Sequence, residues 1–289
     1  MDKLQNTAAV QEPESRGWNA DLLKDPHAVA DKRKRVQNMF AAIAPSYDLN
    51  NRLHSLWMDQ AWRRKAVKLA ELKATDRVVD VACGTGDLTL TFAKRLRGLT
   101  EFSDWTLNDQ IIGVDFTLPM LPIAQRKSKA MGEDWSRLDP AASARLEGPA
   151  KYINGDAQAL PLQDHHADVL SIAFGIRNVQ DPAKALSEFR RVLRPGGRLI
   201  ILEFSLPTNP ILRGLYNFYF HQILPRTATL ISGDKTGAYK YLPQSVNTFI
   251  SRDRMVEMMA AAGFTQIEQF PMTFGVCVCY RGVVPGELP

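Results

Sequence analysis

At 289 residues, with 45% hydrophobic and 23% charged side chains, the chain is long enough for one large globular domain and too apolar to be disordered or fibrous. Thirty-six basic against 31 acidic residues leave a net charge of +5, a modest excess that suits an anionic membrane surface or ligand as well as nucleic acid. Three cysteines, Cys83, Cys277 and Cys279, are too few for a disulfide framework and fit a reducing compartment.

The opening "MDKLQNTAAVQEPESRGWNA" has no apolar core and carries acids early, so it reads as neither a secretory signal nor a transit peptide. Residues 1–30 are expected to form a loose polar tail. No run approaches the roughly 18–20 apolar residues of a membrane span, which places the chain in the cytoplasm or peripherally at the inner face of a membrane. "DKRKRVQNMFAAIAP" (31–45) predicts a basic amphipathic helix stopped by Pro45, its Lys32–Arg35 cluster reading as a solvated face. A second helix follows over about 58–72.

From residue 76 onward, strand and helix patterns alternate. Strands are predicted at 77–82, 111–115, 150–154, 167–173, 197–204, 265–270 and 274–281, and helices at 87–97, 118–130, 183–193 and 252–262. Such alternation implies right-handed crossovers, an α/β fold with a mostly parallel sheet, and helices on both faces. The last two strands are joined so briefly that they should form an antiparallel hairpin. "RPGGR" (194–198) reads as a tight turn, and Cys277 and Cys279 as buried thiols on one face of the last strand. Metal binding is not expected. Two stretches break the rhythm: 131–149 looks like a polar surface insertion, and 206–250 is long and aromatic enough for a lid over a substrate. One domain over 31–283 follows, with N-terminal helices over 31–72 and a short tail at 284–289.

The chemistry sits at strand ends. "VVDVACGTGDLTL" (78–90) is a strand that enters a helix through Gly84-Thr85-Gly86, a turn suited to a polar or anionic ligand. A dinucleotide fingerprint would need glycine at position 89, which is Thr89, and the Gly-Lys-Ser/Thr ending of a P-loop is absent. An amino-acid-like moiety needing close backbone approach fits better. Asp80 either serves the ligand or holds the turn. Asp115, ending "IIGVD", can accept from two ribose hydroxyls or cap the next helix, and Asp156-Ala157 in "INGDAQALP" can flank a purine. The fourth strand ends in "SIAFGIRN". A nicotinamide oxidoreductase would need the missing glycine, a nucleic-acid methyltransferase a dense basic track, and a non-catalytic scaffold would keep the pocket without turnover.

The order DVACGTGD, GVDF, NGDAQALP, AFGIRNV, LRPGGRLIILEFS resembles the class I S-adenosylmethionine-dependent methyltransferases. "YDLNNRLHSLWMDQAW" (47–62) and "RVLRPGGRLIILEFS" (191–205), continued in "HQILPR", "AYKYLPQS", "AAGF" and "YRG", resemble the ubiquinone/menaquinone biosynthesis C-methyltransferase family over about 36–282. The resemblance implies a Rossmann-like seven-stranded sheet, S-adenosylmethionine as methyl donor without a metal, and a prenylated quinol as substrate. It also implies cofactor contacts from Gly84, Thr85, Gly86, Asp115, Asp156 and Ala157, and substrate or catalytic roles for Arg177, Asn178 and Tyr47. Arg177 would stabilise the phenolate of an ionised ring while Asn178 and Tyr47 orient it. Nucleic acid is not an expected partner, whereas membrane-surface contact and a homo-oligomer both remain open. Ala173 stands where some members have a cofactor-contacting Ser. Asp59 stands where ubiquinone-pathway members often have His, and Trp57 where Gly is usual; both departures favour the menaquinone branch over a methoxy-benzoquinol substrate.

Overall fold

The computed structural model describes residues 17–99, 110–138 and 148–286. Strands β1 (Val78–Val81), β2 (Ile111–Asp115), β3 (Lys151–Asn154), β4 (Ala167–Ala173), β5 (Leu193–Phe204), β6 (Thr265–Met272) and β7 (Cys277–Val283) form one sheet in the order β3-β2-β1-β4-β5-β7-β6. The first five run parallel, and β7 pairs antiparallel with both β5 and β6. β1 is buried along its whole length, as its Val-Val-Asp-Val run requires of a strand covered on both faces.

The helices are α1 (Lys32–Ile43), α2 (Tyr47–His54), α3 (Met58–Leu69), α4 (Asp87–Arg97), α5 (Leu121–Leu138), α6 (Pro182–Val192), α7 (Pro210–Phe218), α8 (Leu224–Ser232), α9 (Ala238–Asn247) and α10 (Arg252–Ala261). Phe189 of α6 and Met255 of α10 pack with Leu170 and Ile201 in one core, while Trp62 of α3 and Phe92 of α4 pack with Ile111 and Ile200 in a second. A third core joins the chain's beginning to 220–241 through Trp18, Met39, Phe220 and Tyr241. Cys277 and Cys279 are fully buried on β7, as expected.

Four expectations need correction. The tail expected over 1–30 is packed from Trp18 onward, whose ring lies 4.4 Å from that of Tyr241; residues 1–16 lie outside the described residues. The polar insertion expected at 131–149 continues α5 to Leu138, with Trp135 buried beneath the Arg97 guanidinium at 4.7 Å; residues 139–147 are outside the described set. "RPGGR" is a bulge within β5, where Leu193 pairs with Ala167 and Arg198 already with Val169. Within the Lys32–Arg35 cluster, Arg33 and Lys34 are exposed as expected, but Lys32 is 1% exposed and donates to the Val179 carbonyl at 2.6 Å. Burial, then the nearby Arg177, lowers its pKa to about 8.

The excursion at 206–250 is three helices, with a π-helical turn at Tyr219–Ile223 between α7 and α8. Asn209 caps α7 by accepting from the Ile211 and Leu212 amides, and Pro210 takes the first helical position. α7 buries none of its residues.

Candidate functional site

The carboxyl ends of β1, β2, β3 and β4 surround a small cavity of about 100 Å³, lined by Gly84, Asp115, Asp156, Ala157, Ala173 and Asn178 among others. The turn after β1 explains its glycines. Gly84 has φ +54° with open space where a Cβ would stand, whereas a Cβ on Gly86 (φ +84°) would lie 2.8 Å from Tyr152 Oη. Asp115 accepts from the Gly84 amide through Oδ2 and from the Thr117 amide through Oδ1, both at 2.7 Å. It therefore braces the turn and caps the next one, and each oxygen still has a lone pair for a ligand hydroxyl. Burial raises its pKa, with the two amides opposing.

Asp156 accepts from the Gln158 amide at 2.9 Å and pairs with Arg33 at 3.1 Å, while the Arg33 guanidinium lies 4.4 Å from the Phe116 ring. Thus α1 covers the small cavity from outside the sheet. Asp80 does not reach that cavity: it accepts from Thr89 Oγ1 at 2.6 Å and Ser171 Oγ at 2.7 Å. It holds α4 to the sheet, and burial pushes its pKa up to about 6.

A larger cavity of about 380 Å³ lies between α1, α2, α3 and the 206–250 helices. Tyr216, Tyr219, Phe220 and Leu224 form an apolar wall, and the polar lining includes Asp59, Arg63 and Arg177. The two cavities share Phe40, Tyr47 and Phe174, so they meet there. Phe174 has φ +56°, an uncommon conformation for a bulky residue that points to a site under constraint. Its carbonyl accepts from Arg177 Nη1 at 2.7 Å and Asn178 Nδ2 at 3.1 Å. Burial raises the Tyr47 pKa, with a hydrogen bond to Asn51 opposing.

Of the residues singled out in the sequence, Gly84, Asp115, Asp156, Ala157, Asn178 and Tyr47 meet at the small cavity, and Arg177 and Tyr47 at the large one. Thr85 and Gly86 line neither. The Thr85 hydroxyl donates to Asp48 Oδ1 at 2.5 Å, and Lys127 ties Asp48 to Asp87, which fastens the turn to α2. Arg177 is no lone cation: it is 4% exposed and its Nη1 contacts Glu203 Oε1 at 2.7 Å. Asn178 accepts from Tyr241 Oη at 2.9 Å, joining the end of β4 to α9.

Sequence reasoning missed Glu203 and the buried Asp59–Arg63 pair, whose atoms are 2.6 Å apart. Both left a signal. Glu203 is an acid that follows the apolar run Leu199–Leu202 near the end of β5, and Asp59 and Arg63 stand at helical i,i+4 spacing. Among the described residues no group of three His, Cys, Asp or Glu side chains is placed to hold a metal.

A seven-stranded sheet in this order, with a cavity at its carboxyl edge, is the Rossmann-like fold of class I methyltransferases. A methyltransferase of Thermotoga maritima shares it at TM-score 0.53 and 20% identity, covering 86% of this chain and 99% of that one. The model of the ubiE/COQ5 methyltransferase family matches residues 28–284, and the chain belongs to that family. It is an S-adenosylmethionine-dependent methyltransferase. The demethylmenaquinone methyltransferase of Thermus thermophilus is 44% identical over 247 residues, 86% of this chain and 100% of the relative. The ubiquinone/menaquinone biosynthesis C-methyltransferase of Geobacter sp. strain M21 is 40% identical over 256 residues, 89% and 99% of the two chains.

Proposed function

We propose that this methyltransferase acts in quinone biosynthesis, methylating a ring carbon of a reduced prenylated quinone, and that the substrate is demethylmenaquinol. The observation that carries the reading is the meeting of a small polar cavity and a large apolar one at Phe40, Tyr47 and Phe174. A nucleoside cofactor fits the first and a ring with an apolar tail the second. The Thermus thermophilus relative bears the name of the menaquinone reaction, and Asp59 and Trp57 favour the same branch.

S-adenosylmethionine supplies an activated methyl group on a sulfonium. For that cofactor, Asp115 would receive the ribose hydroxyls, Ala157 and Phe116 would flank the adenine, and Gly84 would leave room for close approach. In the large cavity Arg177 orients the ring. Glu203 offsets much of its charge, so its part is that of a rigid N–H donor to the ring oxygen, through Nη2, which makes no hydrogen bond within the described residues. That contact lowers the phenol pKa and makes the adjacent carbon a nucleophile. Asn178, committed to Phe174 and Tyr241, positions the end of β4. Tyr47, which lines both cavities, would orient the ring toward the cofactor. Asp59, the carboxylate in the large cavity's wall, takes the ring proton after transfer.

The test is turnover of labelled S-adenosylmethionine with reduced demethylmenaquinol and methoxy-benzoquinol analogues side by side. Label in the naphthoquinol product supports the proposal. Preference for the benzoquinol moves the substrate to the ubiquinone branch, and label in neither ring overturns the quinone assignment.

A further inference from the structure

The apolar side chains left in solvent are concentrated in one part of the molecule. Thirteen large hydrophobic residues are exposed among the described residues, and all but Leu118 fall in 49–58, 211–218, 223–231 or at Phe274. On α7, Ile211, Leu215 and Phe218 are 75%, 64% and 61% exposed at i, i+4, i+7 spacing, one outward helix face. Leu230 on α8 is 85% exposed. Apolar stripes of this kind mark a surface that something covers.

The same stretches frame the mouth of the large cavity. Leu56 and Met58 belong both to its lining and to the exposed set. Tyr219 Oη donates to the His54 carbonyl at 3.1 Å, and His54 Nε2 lies 2.8 Å from Thr227 Oγ1, which fastens α2 to the α7–α8 segment. The charge on α7 and α8 has one sign. Residues 205–233 contain exposed Arg213 and Arg226 and no Asp or Glu, and residues 49–58 hold no acid, their Arg52 being paired with Asp87 at 3.1 Å.

We propose that this face docks on the surface of an anionic lipid bilayer, with α7 and α8 at the interface and the cavity mouth opening toward the acyl chains. The inference rests on the functional reading above only in that a prenylated substrate resides in such a bilayer. Anionic headgroups complement Arg213 and Arg226 around the apolar stripes. A twofold dimer through the same face would instead set those arginines against their own copies, with no acid in either stretch to answer them.

The experiment is co-sedimentation of the full chain with vesicles of phosphatidylcholine mixed with phosphatidylglycerol, and with phosphatidylcholine alone. The Leu215→Glu/Leu230→Glu variant changes two exposed residues that line neither cavity. The proposal expects binding to the anionic vesicles, weaker binding to the neutral ones, and at least tenfold weaker partition of the variant. Turnover on a short-tailed, water-soluble quinol should be unchanged. Equal partition of variant and parent, or a dimer that the variant dissolves together with an absence of vesicle binding, overturns it. Vesicle binding lost in the variant, with no quinol methylated by either protein, supports the docking face and overturns only the substrate reading.

Discussion

The small cavity is walled chiefly by the ends of consecutive strands, whereas the large one is walled by helices from distant parts of the chain. In the first, a strand's place in a parallel sheet decides where its last residue stands, so Gly84, Asp115, Asp156 and Ala157 converge by topology. In the second, α2 must meet α8, with His54 reaching Thr227 across 173 positions, and only tertiary packing sets that pairing. The polar groups differ accordingly. Asp115 is held by backbone amides, but Arg177 and Asp59 are held by buried ion pairs whose loss strands a partner.

If the large cavity carries the chemistry, its variants should lose turnover before cofactor affinity. Arg177→Ala is expected to cut turnover by about 10³-fold while the cofactor Kd moves by less than about threefold. The stranded Glu203 should also cost about 3–5 kcal/mol of stability. Adding Glu203→Gln should return much of that stability in urea unfolding and none of the turnover, which separates the ring contact from the structural one. Collapse of cofactor binding in the single, folded variant would break the division between the cavities. Asp59→Asn should lower turnover by about 10²-fold, with cofactor binding intact by calorimetry.

The small cavity should respond in the opposite way. Asp80 beneath it has a folded-state pKa of about 6 against an ordinary 3.8, so its contribution to stability is present at low pH and is lost as pH rises through that window. Urea unfolding should therefore find Asp80→Asn gaining about 3 kcal/mol relative to the parent between about pH 4 and pH 7. A difference that stays flat with pH would show the burial of that carboxylate to be relieved. Asp115→Ala should weaken cofactor binding about tenfold, through the lost ribose contacts and the loosened Gly84 amide, with kcat at saturation within about threefold.

Periodicity and strand-end chemistry carried the sheet, its antiparallel hairpin and the strand-end part of the small cavity's lining, but not the α1 side chains Arg33, Val36 and Phe40. The exceptions have physical reasons. Thr85 was grouped with its neighbouring glycines, yet its side chain turns to Asp48, and only the helix packed above the turn reveals that. Lys32 looks like part of any solvated basic run until the turn after β4 offers it the Val179 carbonyl, and exposed Arg33 still finds a carboxylate in Asp156. Arg177, singled out in the sequence, does line the large cavity, but the partner that offsets its charge lies 26 positions away on the next strand. Within the long aromatic stretch at 206–250, Tyr216, Tyr219, Phe220 and Leu224 line the large cavity while Leu215 and Phe218 face out, a division that the stretch's length and composition do not reveal.

The central claim is that each cavity has its own ligand, and photolabelling tests it most directly. An azido-adenine analogue of S-adenosylmethionine and a prenyl-azido quinol are crosslinked in turn, and the labelled peptides are mapped by mass spectrometry. The adenine probe should mark the segments around Phe116 and Ala157, and the prenyl probe those around Tyr216 and Leu224. Both probes on the same segment, or the adenine probe on 216–224, would contradict it.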